Sequence, residues 1–240
     1  MTTQEIRFDD GAAYEEFMGR SSTLAGAAFL DWLGPAAGLG WLDVGCGNGA
    51  FTELLAQRCA PASLDGVDPS EGQLAFARKR LPRARLRTGG ATALPYPDAS
   101  FDAAAMALVI FFVPEPARGV AEMARVIRPG GGVCAYAWDI AGGGFPYFAL
   151  QDEMAALGQP PLMPPSVDAA RLDALSRLWR EAGLVDVETR ELVVRRRFAD
   201  FDAFWAAARN GPGIGQRLAT APAGNAGRLK QRLRARLVAA

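Results

Sequence analysis

Nine residues, Leu42-Asp43-Val44-Gly45-Cys46-Gly47-Asn48-Gly49-Ala50, constrain this chain more than any other stretch. An apolar approach through Trp41, Leu42 and Val44 has the pattern of a buried strand. Three glycines at alternate positions come next, then an amphipathic segment with Phe51, Leu54 and Leu55. Strand, glycine turn and helix in that order bring backbone close to a ligand at the carboxyl end of a strand. Gly45 and Gly47 lack a Cβ, so a ligand can lie against the main chain and a positive φ costs little. The spacing is G-x-G-x-G, which differs from the dinucleotide fingerprint G-x-G-x-x-G. The triplet by itself also fits a tight turn with no ligand.

Four further segments, in order and at suitable distances from the triplet, narrow the choice. Gly66-Val67-Asp68-Pro69-Ser70 ends a second strand on an acid. Leu94-Pro95-Tyr96-Pro97-Asp98-Ala99-Ser100-Phe101-Asp102 leads into a fourth, and Arg125-Val126-Ile127-Arg128-Pro129-Gly130-Gly131 turns toward a fifth. Tyr14-Glu15-Glu16-Phe17-Met18-Gly19-Arg20-Ser21 precedes them. Together these segments resemble the motifs of class I S-adenosylmethionine-dependent methyltransferases. The resemblance is to the small-molecule type, including the ubiquinone/menaquinone-biosynthesis group, and covers roughly residues 10–195. It implies an α/β, Rossmann-like three-layer sandwich: a mostly parallel sheet of six or seven strands with helices on both faces.

The composition sets bounds. A chain of 240 residues, half of them hydrophobic, suits one domain with a sizeable core. Formal net charge is zero, so no overall field recruits nucleic acid or a membrane surface. From Arg190 onward, however, 11 Lys/Arg face 3 Asp/Glu, leaving 15 basic and 23 acidic side chains before it. That asymmetry suggests an anionic acceptor or partner near the basic tail, with Arg195, Arg196 and Arg197 as one cluster, or simply a solvated face. Three cysteines (Cys46, Cys59, Cys134) make no disulfide framework and fit a reducing cytoplasm. The opening residues lack a basic-then-apolar leader, and the longest apolar run is too short to span a bilayer. There is no histidine, which removes the usual neutral-pH base and the commonest metal ligand. The expected state is a cytoplasmic monomer or homodimer, without metal, nucleic acid or membrane.

Three regions are expected: a helical cap over the cofactor site (1–36), the S-adenosylmethionine-binding core (37–195) and a C-terminal helical lid or tail (196–240). Residues 1–9 are expected to be loose, with helical segments over 10–33. Strands are expected at 85–88, 101–108, 133–138 and 185–194, besides those ending at Val44 and Val67. Ser70 with Gln73 three residues on reads as a capping box opening a helix. A further helix over 169–182 has Asp168 as its expected cap, and the proline-rich run 159–166 is expected to cross over the pocket. Phe198, Phe201, Phe204 and Trp205 form an aromatic stripe. The resemblance implies a seventh, antiparallel strand, but no clean strand is visible after Val194.

The resemblance implies these cofactor contacts: Tyr14, Met18 and Arg20 from the cap, with Tyr14 and Arg20 reaching the carboxylate; Gly45, Cys46, Gly47 and Asn48 from the turn; Pro69 and Gln73 after strand two; Gly90, Ala91 and Thr92 after strand three; Ala107 and Leu108 at the end of strand four. Asp43 either accepts from the cofactor's ammonium, directly or through water, or caps the turn. Asp68 is placed to bond both ribose hydroxyls. The chain departs from the family at Gly89-Gly90-Ala91, where an acid usually accepts from the adenine amino group. Phe111, Phe112, Trp138, Phe145 and Tyr147 are candidate walls of an acceptor pocket, or core and loop residues. Asp139 and Tyr147 are candidate bases for an oxygen acceptor. The implied chemistry is methyl transfer from S-adenosylmethionine to an oxygen, nitrogen or carbon of a small molecule by in-line displacement, releasing S-adenosylhomocysteine. A cofactor-binding scaffold that does not methylate, and a nicotinamide-dependent oxidoreductase, are the alternatives.

Overall fold

The structure is a computed structural model that describes residues 15–160, 162–209, 211, 214, 217 and 224–238. Tyr14 and the expectation of a loose N-terminus lie outside these residues. After a π-helical turn over Glu15–Gly19, helix α1 spans Arg20–Leu33. Strand β1 (Gly40–Val44) leads into α2 (Ala50–Arg58), and β2 (Ser63–Asp68) into α3 (Glu71–Arg80). Next come β3 (Arg85–Thr88), β4 (Phe101–Ala107), α4 (Pro116–Val126) and β5 (Ile127–Tyr136). Helices α5 (Phe148–Ala156), α6 (Leu172–Glu181), α7 (Phe201–Arg209) and α8 (Asn225–Val238) complete the described chain.

The strands form one five-stranded, all-parallel sheet in the order β3-β2-β1-β4-β5. The order reverses between β1 and β4, and ligands of open α/β sheets bind at the carboxyl ends beside such a reversal. β1 is buried along its whole length, as a central parallel strand covered on both faces must be. Ser70 caps α3, its Oγ accepting from the Gln73 amide at 3.3 Å. A glycine at φ +82°, Gly183, stands just past the end of α6, consistent with the left-handed residue that helices use to stop.

Several expectations are corrected. β5 begins at Ile127, six residues before its expected start, because the glycine turn is absorbed as an irregularity: Phe101 pairs Ile127, but Ala103 already pairs Gly132. Asp168 does not cap a helix; it lies in a 3-10 turn (Val167–Ala170), and α6 starts at Leu172 without a side-chain cap. Helix α5 has no counterpart among the expected elements, although Leu150 and Met154, both buried, sit at helical spacing.

The expected strand over 185–194 is absent, and the sheet has five strands among the described residues rather than six or seven. The alternation that predicts it is real: Leu192, Val194, Arg196 and Phe198 are half-buried while Val193, Arg195 and Arg197 are exposed. What is missing is a partner. Residues 184–198 and β5 both line one cleft of about 2020 Å³, and no ladder joins them among the described residues. Period-two patterning specifies which side chains face inward, whereas a strand also needs a neighbour at roughly 4.8 Å.

The tail is held by apolar and ionic contacts. Trp205, Ala208, Leu229 and Leu233 are buried in the same apolar cluster as Phe17, Leu42 and Met106. Arg232 bonds Glu153 at 2.6 Å, Arg236 bonds Asp152, and Lys230 lies 2.7 Å from Asp202. Lys230, Arg232 and Arg236 thus tie α8 to α5 and α7.

Candidate cofactor and acceptor site

The glycine turn adopts the conformation that its composition predicts. Gly45, Gly47 and Gly49 all have positive φ, +76°, +52° and +81°. Beside Gly47 there is open space where a Cβ would stand, whereas a Cβ on Gly45 would lie 2.6 Å from a methyl of Val109. Val109 is held there by the preceding turn: Leu108, a non-glycine residue at φ +61°, swings the chain sharply away from the end of β4. Its amide donates to the Tyr136 carbonyl at 2.8 Å. A side chain kept in this sparsely populated region marks a place that the fold over-determines.

Asp68 ends β2 directly beside the turn. Its Oδ2 accepts from the Gly47 amide at 2.9 Å and its Oδ1 from the Ser70 amide at 2.8 Å. Burial raises its pKa and these two amides lower it in part. Each carboxylate oxygen has a second lone pair, so Asp68 can hold the glycine turn and still accept from a diol. Across the turn, the Asn48 amide donates to Glu15 at 3.0 Å, and Arg80 bonds the same carboxylate at 3.1 Å. Glu15 therefore fastens the N-terminal segment to the glycine turn. The sequence offers no signal for it beyond its place in the lead-in.

Asp43 differs from the expectation that it caps the turn. It is fully buried, its Oδ2 accepting from the Thr52 hydroxyl at 2.6 Å, and it caps no backbone amide among the described residues. Its Oδ1 has no partner among the described residues. Burial pushes its pKa up to about 7, against the lowering effect of Thr52, with Asp68 adding repulsion. An acid whose folded pKa exceeds its unfolded value stabilises the fold most at low pH, and that contribution is lost as pH rises through the folded value. Wild-type stability, measured by urea denaturation, should therefore decline between about pH 4 and pH 7, relative to Asp43→Asn, by an amount on the order of a few kcal/mol. Parallel pH profiles for the two proteins would contradict this.

Met18 is buried and Arg20 exposed on the segment that Glu15 fastens. Cys46 is buried and its thiol pushed well up by burial, and Cys134 is pushed up to about 12. Neither supplies a thiolate near neutral pH. Pro69 is exposed and Gln73 buried at the start of α3. Gly90, Ala91 and Thr92 form a half-exposed turn in which the Ala93 amide returns to the Gly90 carbonyl at 3.2 Å. Ala107 and Leu108 sit at the end of β4.

The candidate acceptor residues fall into two groups within one apolar cluster. Phe111 and Phe112 stack edge-on, 4.7 Å apart, after β4. Ser166 is bonded to that turn, its amide to the Phe111 carbonyl at 3.0 Å and its hydroxyl to the Val113 carbonyl at 2.7 Å. The end of the proline-rich run thus lies against this wall. The second group comes after β5. Tyr147 is almost fully buried and stacks on Phe17 at 4.4 Å, with Phe145 and Phe204 at 6.1 and 5.8 Å. Trp138 is buried nearby in sequence.

Both candidate bases hold hydrogen bonds within the protein. The Tyr147 hydroxyl donates to the Phe17 carbonyl at 2.8 Å, and burial raises its pKa more than Arg196 lowers it. Asp139 is exposed and accepts from the Gly142 amide at 2.8 Å, closing its own loop.

The residues around the turn fit S-adenosylmethionine: a cradle open beside Gly47, an acid at the end of β2, and a capped helix beyond it. Residues 42–135 match a family model described as a methyltransferase domain. That stretch therefore has the sequence pattern of a methyltransferase domain.

Among curated proteins, an uncharacterized methyltransferase of Mycobacterium bovis is 41% identical over 104 residues, covering 42% of this chain and 41% of that protein. A demethylmenaquinone methyltransferase of Renibacterium salmoninarum is 40% identical over 104 residues, covering 42% of each. The matched stretch thus spans about two fifths of these relatives' length. Among solved structures, a putative methyltransferase from an antibiotic biosynthesis pathway of Anabaena variabilis shares the fold, with a TM-score of 0.66 and 23% identity over 90% of this chain and 88% of that one. A methyltransferase of Thermotoga maritima, titled a possible histamine N-methyltransferase, gives a TM-score of 0.51 and 25% identity over 72% and 79%.

Proposed function

We propose that this chain transfers the methyl group of S-adenosylmethionine to an oxygen, nitrogen or carbon of a small-molecule acceptor by in-line displacement. The observation that carries the reading is the meeting of Asp68 with the Gly47 amide at the carboxyl ends of β1 and β2. It puts an acid and an open glycine backbone on one ligand face. The cofactor supplies a methyl group made electrophilic by its sulfonium centre. The chain's own work is binding and alignment, and a good near-attack geometry contributes roughly 7–11 kcal/mol to such a reaction.

Asp68 accepts from the ribose hydroxyls. Gly45, Gly47 and the Cys46–Asn48 backbone hold the main body, and Met18 and Arg20 close the methionine end. Pro69, Gln73, Ala91, Thr92, Ala107 and Leu108 wall the adenosine. Phe111, Phe112, Trp138, Phe145 and Tyr147 exclude water on the acceptor side. Residues 1–36 serve as the cap and 196–240 as the lid over the 37–195 core. Asp139 and Tyr147 are both engaged in hydrogen bonds within the protein, and an acceptor that arrives already nucleophilic fits that arrangement. The free thiols suit a cytoplasmic setting.

Gly90 gives this reading a gain-of-function check. It has no positive φ, and nothing lies within 4 Å of a Cβ built on it. Gly90→Asp should fold normally and bind S-adenosylhomocysteine about tenfold more tightly in calorimetry, through one added charge-assisted hydrogen bond. Unchanged affinity would place the adenine elsewhere. The function itself is tested with labelled S-adenosylmethionine and a panel of phenols, amines and carboxylates. Label should reach at least one class and be lost in Asp68→Ala. No transfer to any class by a protein that binds the cofactor product would support a non-methylating binder instead.

A further inference from the structure

Arg196 is a half-buried cation with no ion-pairing acid among the described residues. Its Nη1 donates to the Phe17 carbonyl at 3.0 Å and to the Tyr147 hydroxyl at 3.1 Å, both neutral acceptors. Its guanidinium lies 4.4 Å above the Phe198 ring. Among the described residues no carboxylate comes within ion-pairing distance, although several arginines of α8 and of the sheet have one. Removing a charge from water is costly unless it is paired. Arg195 and Arg197, on either side, are exposed and reinforce the positive potential.

The position also borders the cleft. Arg196, Tyr147 and Trp138 all line it. Phe17, which both Tyr147 and Arg196 bond, lies two residues from Glu15, and Glu15 is bonded to Asn48 of the glycine turn. Two hydrogen bonds and a short piece of chain therefore join the cation to the proposed cofactor cradle. Flat apolar surface surrounds it: Phe198 packs edge-on against Phe204 at 5.2 Å, and Phe204 lies beside Tyr147. Among the described residues its hydrogen bonds to protein use only Nη1. The edge formed by Nε and Nη2 keeps its paired donors, the geometry that receives a carboxylate in bidentate fashion.

We propose that Arg196 is the specificity-determining residue of the acceptor site and that the acceptor is a planar aromatic carboxylate. Its carboxylate meets the Nε/Nη2 edge and its ring lies among Phe145, Phe198 and Phe204. This rests on the methyl-transfer reading for the word acceptor, but the carboxylate site itself does not. Tyr147 acts as a positioning residue, holding Phe17 and Arg196 in one arrangement.

The test titrates 1-hydroxy-2-naphthoate and its neutral amide into the whole protein by calorimetry, with and without S-adenosylhomocysteine, at two salt concentrations. The wild type should bind the carboxylate at least about tenfold more tightly than the amide, with a preference that shrinks as salt rises. Arg196→Met should erase the preference, Arg196→Lys keep part of it, and Arg195→Met leave it intact. Equal affinities in the wild type, a preference that survives Arg196→Met, or no binding of either compound would overturn the proposal. Circular dichroism and S-adenosylhomocysteine affinity of Arg196→Met verify that its fold and cofactor cradle persist. A wild type that prefers the carboxylate but binds no S-adenosylhomocysteine would overturn the methyl-transfer reading and leave the carboxylate site standing.

Discussion

Asp68→Ala should lower the affinity for S-adenosylhomocysteine by about a hundredfold, equivalent to ~2.7 kcal/mol. Two effects add. The variant loses the acceptor for the ribose hydroxyls, and it releases the Gly47 and Ser70 amides that the carboxylate now ties together. Hydrogen bonds to a charged group contribute roughly 1.5–3 kcal/mol each and are not additive when they share one group. Asp68→Asn retains a carbonyl oxygen that can hold one amide, so it should fall between the two. Calorimetry with the three proteins reads the effect directly. Affinity within threefold of wild type for Asp68→Ala would remove Asp68 from the cofactor site.

Gly45→Ala should be the most destabilising single-methyl change in the glycine turn, by about 2–4 kcal/mol. Two independent causes act there. The residue sits at φ +76°, where an L side chain costs roughly 1–2 kcal/mol. A Cβ would also stand 2.6 and 2.7 Å from the two methyls of Val109, far inside contact distance. Val109 is β-branched and stiff at χ1, so it does not turn aside cheaply. Gly45→Ala combined with Val109→Ala should recover the steric part and keep the backbone part, leaving a deficit of about 1–2 kcal/mol. Urea denaturation of the single and double variants separates the two causes. A double variant no more stable than Gly45→Ala would show that Val109 is not the obstacle. By contrast, Gly47→Ala, with open space at its Cβ, should show only the backbone penalty.

The features legible in the sequence are local or periodic. The glycine turn, the acid ending β2 and the Ser70 cap are each decided within a few residues, and all three stand where the pattern puts them. The buried strands are visible because parallel strands covered on both faces read as apolar runs. Three features are not readable, for physical reasons. The direction of Asp43 depends on Thr52, nine residues on, which offers a hydroxyl under the helix while the turn spends its amides elsewhere. The strand expected over 185–194 has correct alternation and no neighbour to pair with, and alternation does not encode the neighbour. The strap at Tyr147 joins residues 130 and 179 positions apart, through Phe17 and Arg196, and no spacing rule reaches that far. The charge count nevertheless points at Arg195, Arg196 and Arg197. The structure separates them, turning only the middle one inward.

The central claim is that the cradle formed by Gly45, Gly47 and Asp68 takes S-adenosylmethionine rather than a nicotinamide dinucleotide. Separate calorimetric titrations with S-adenosylhomocysteine and with NAD, on wild type beside Asp68→Ala, test it most directly. Micromolar binding of S-adenosylhomocysteine alone, weakened about a hundredfold in the variant, is the predicted result. Binding of NAD instead, or of neither, would contradict it.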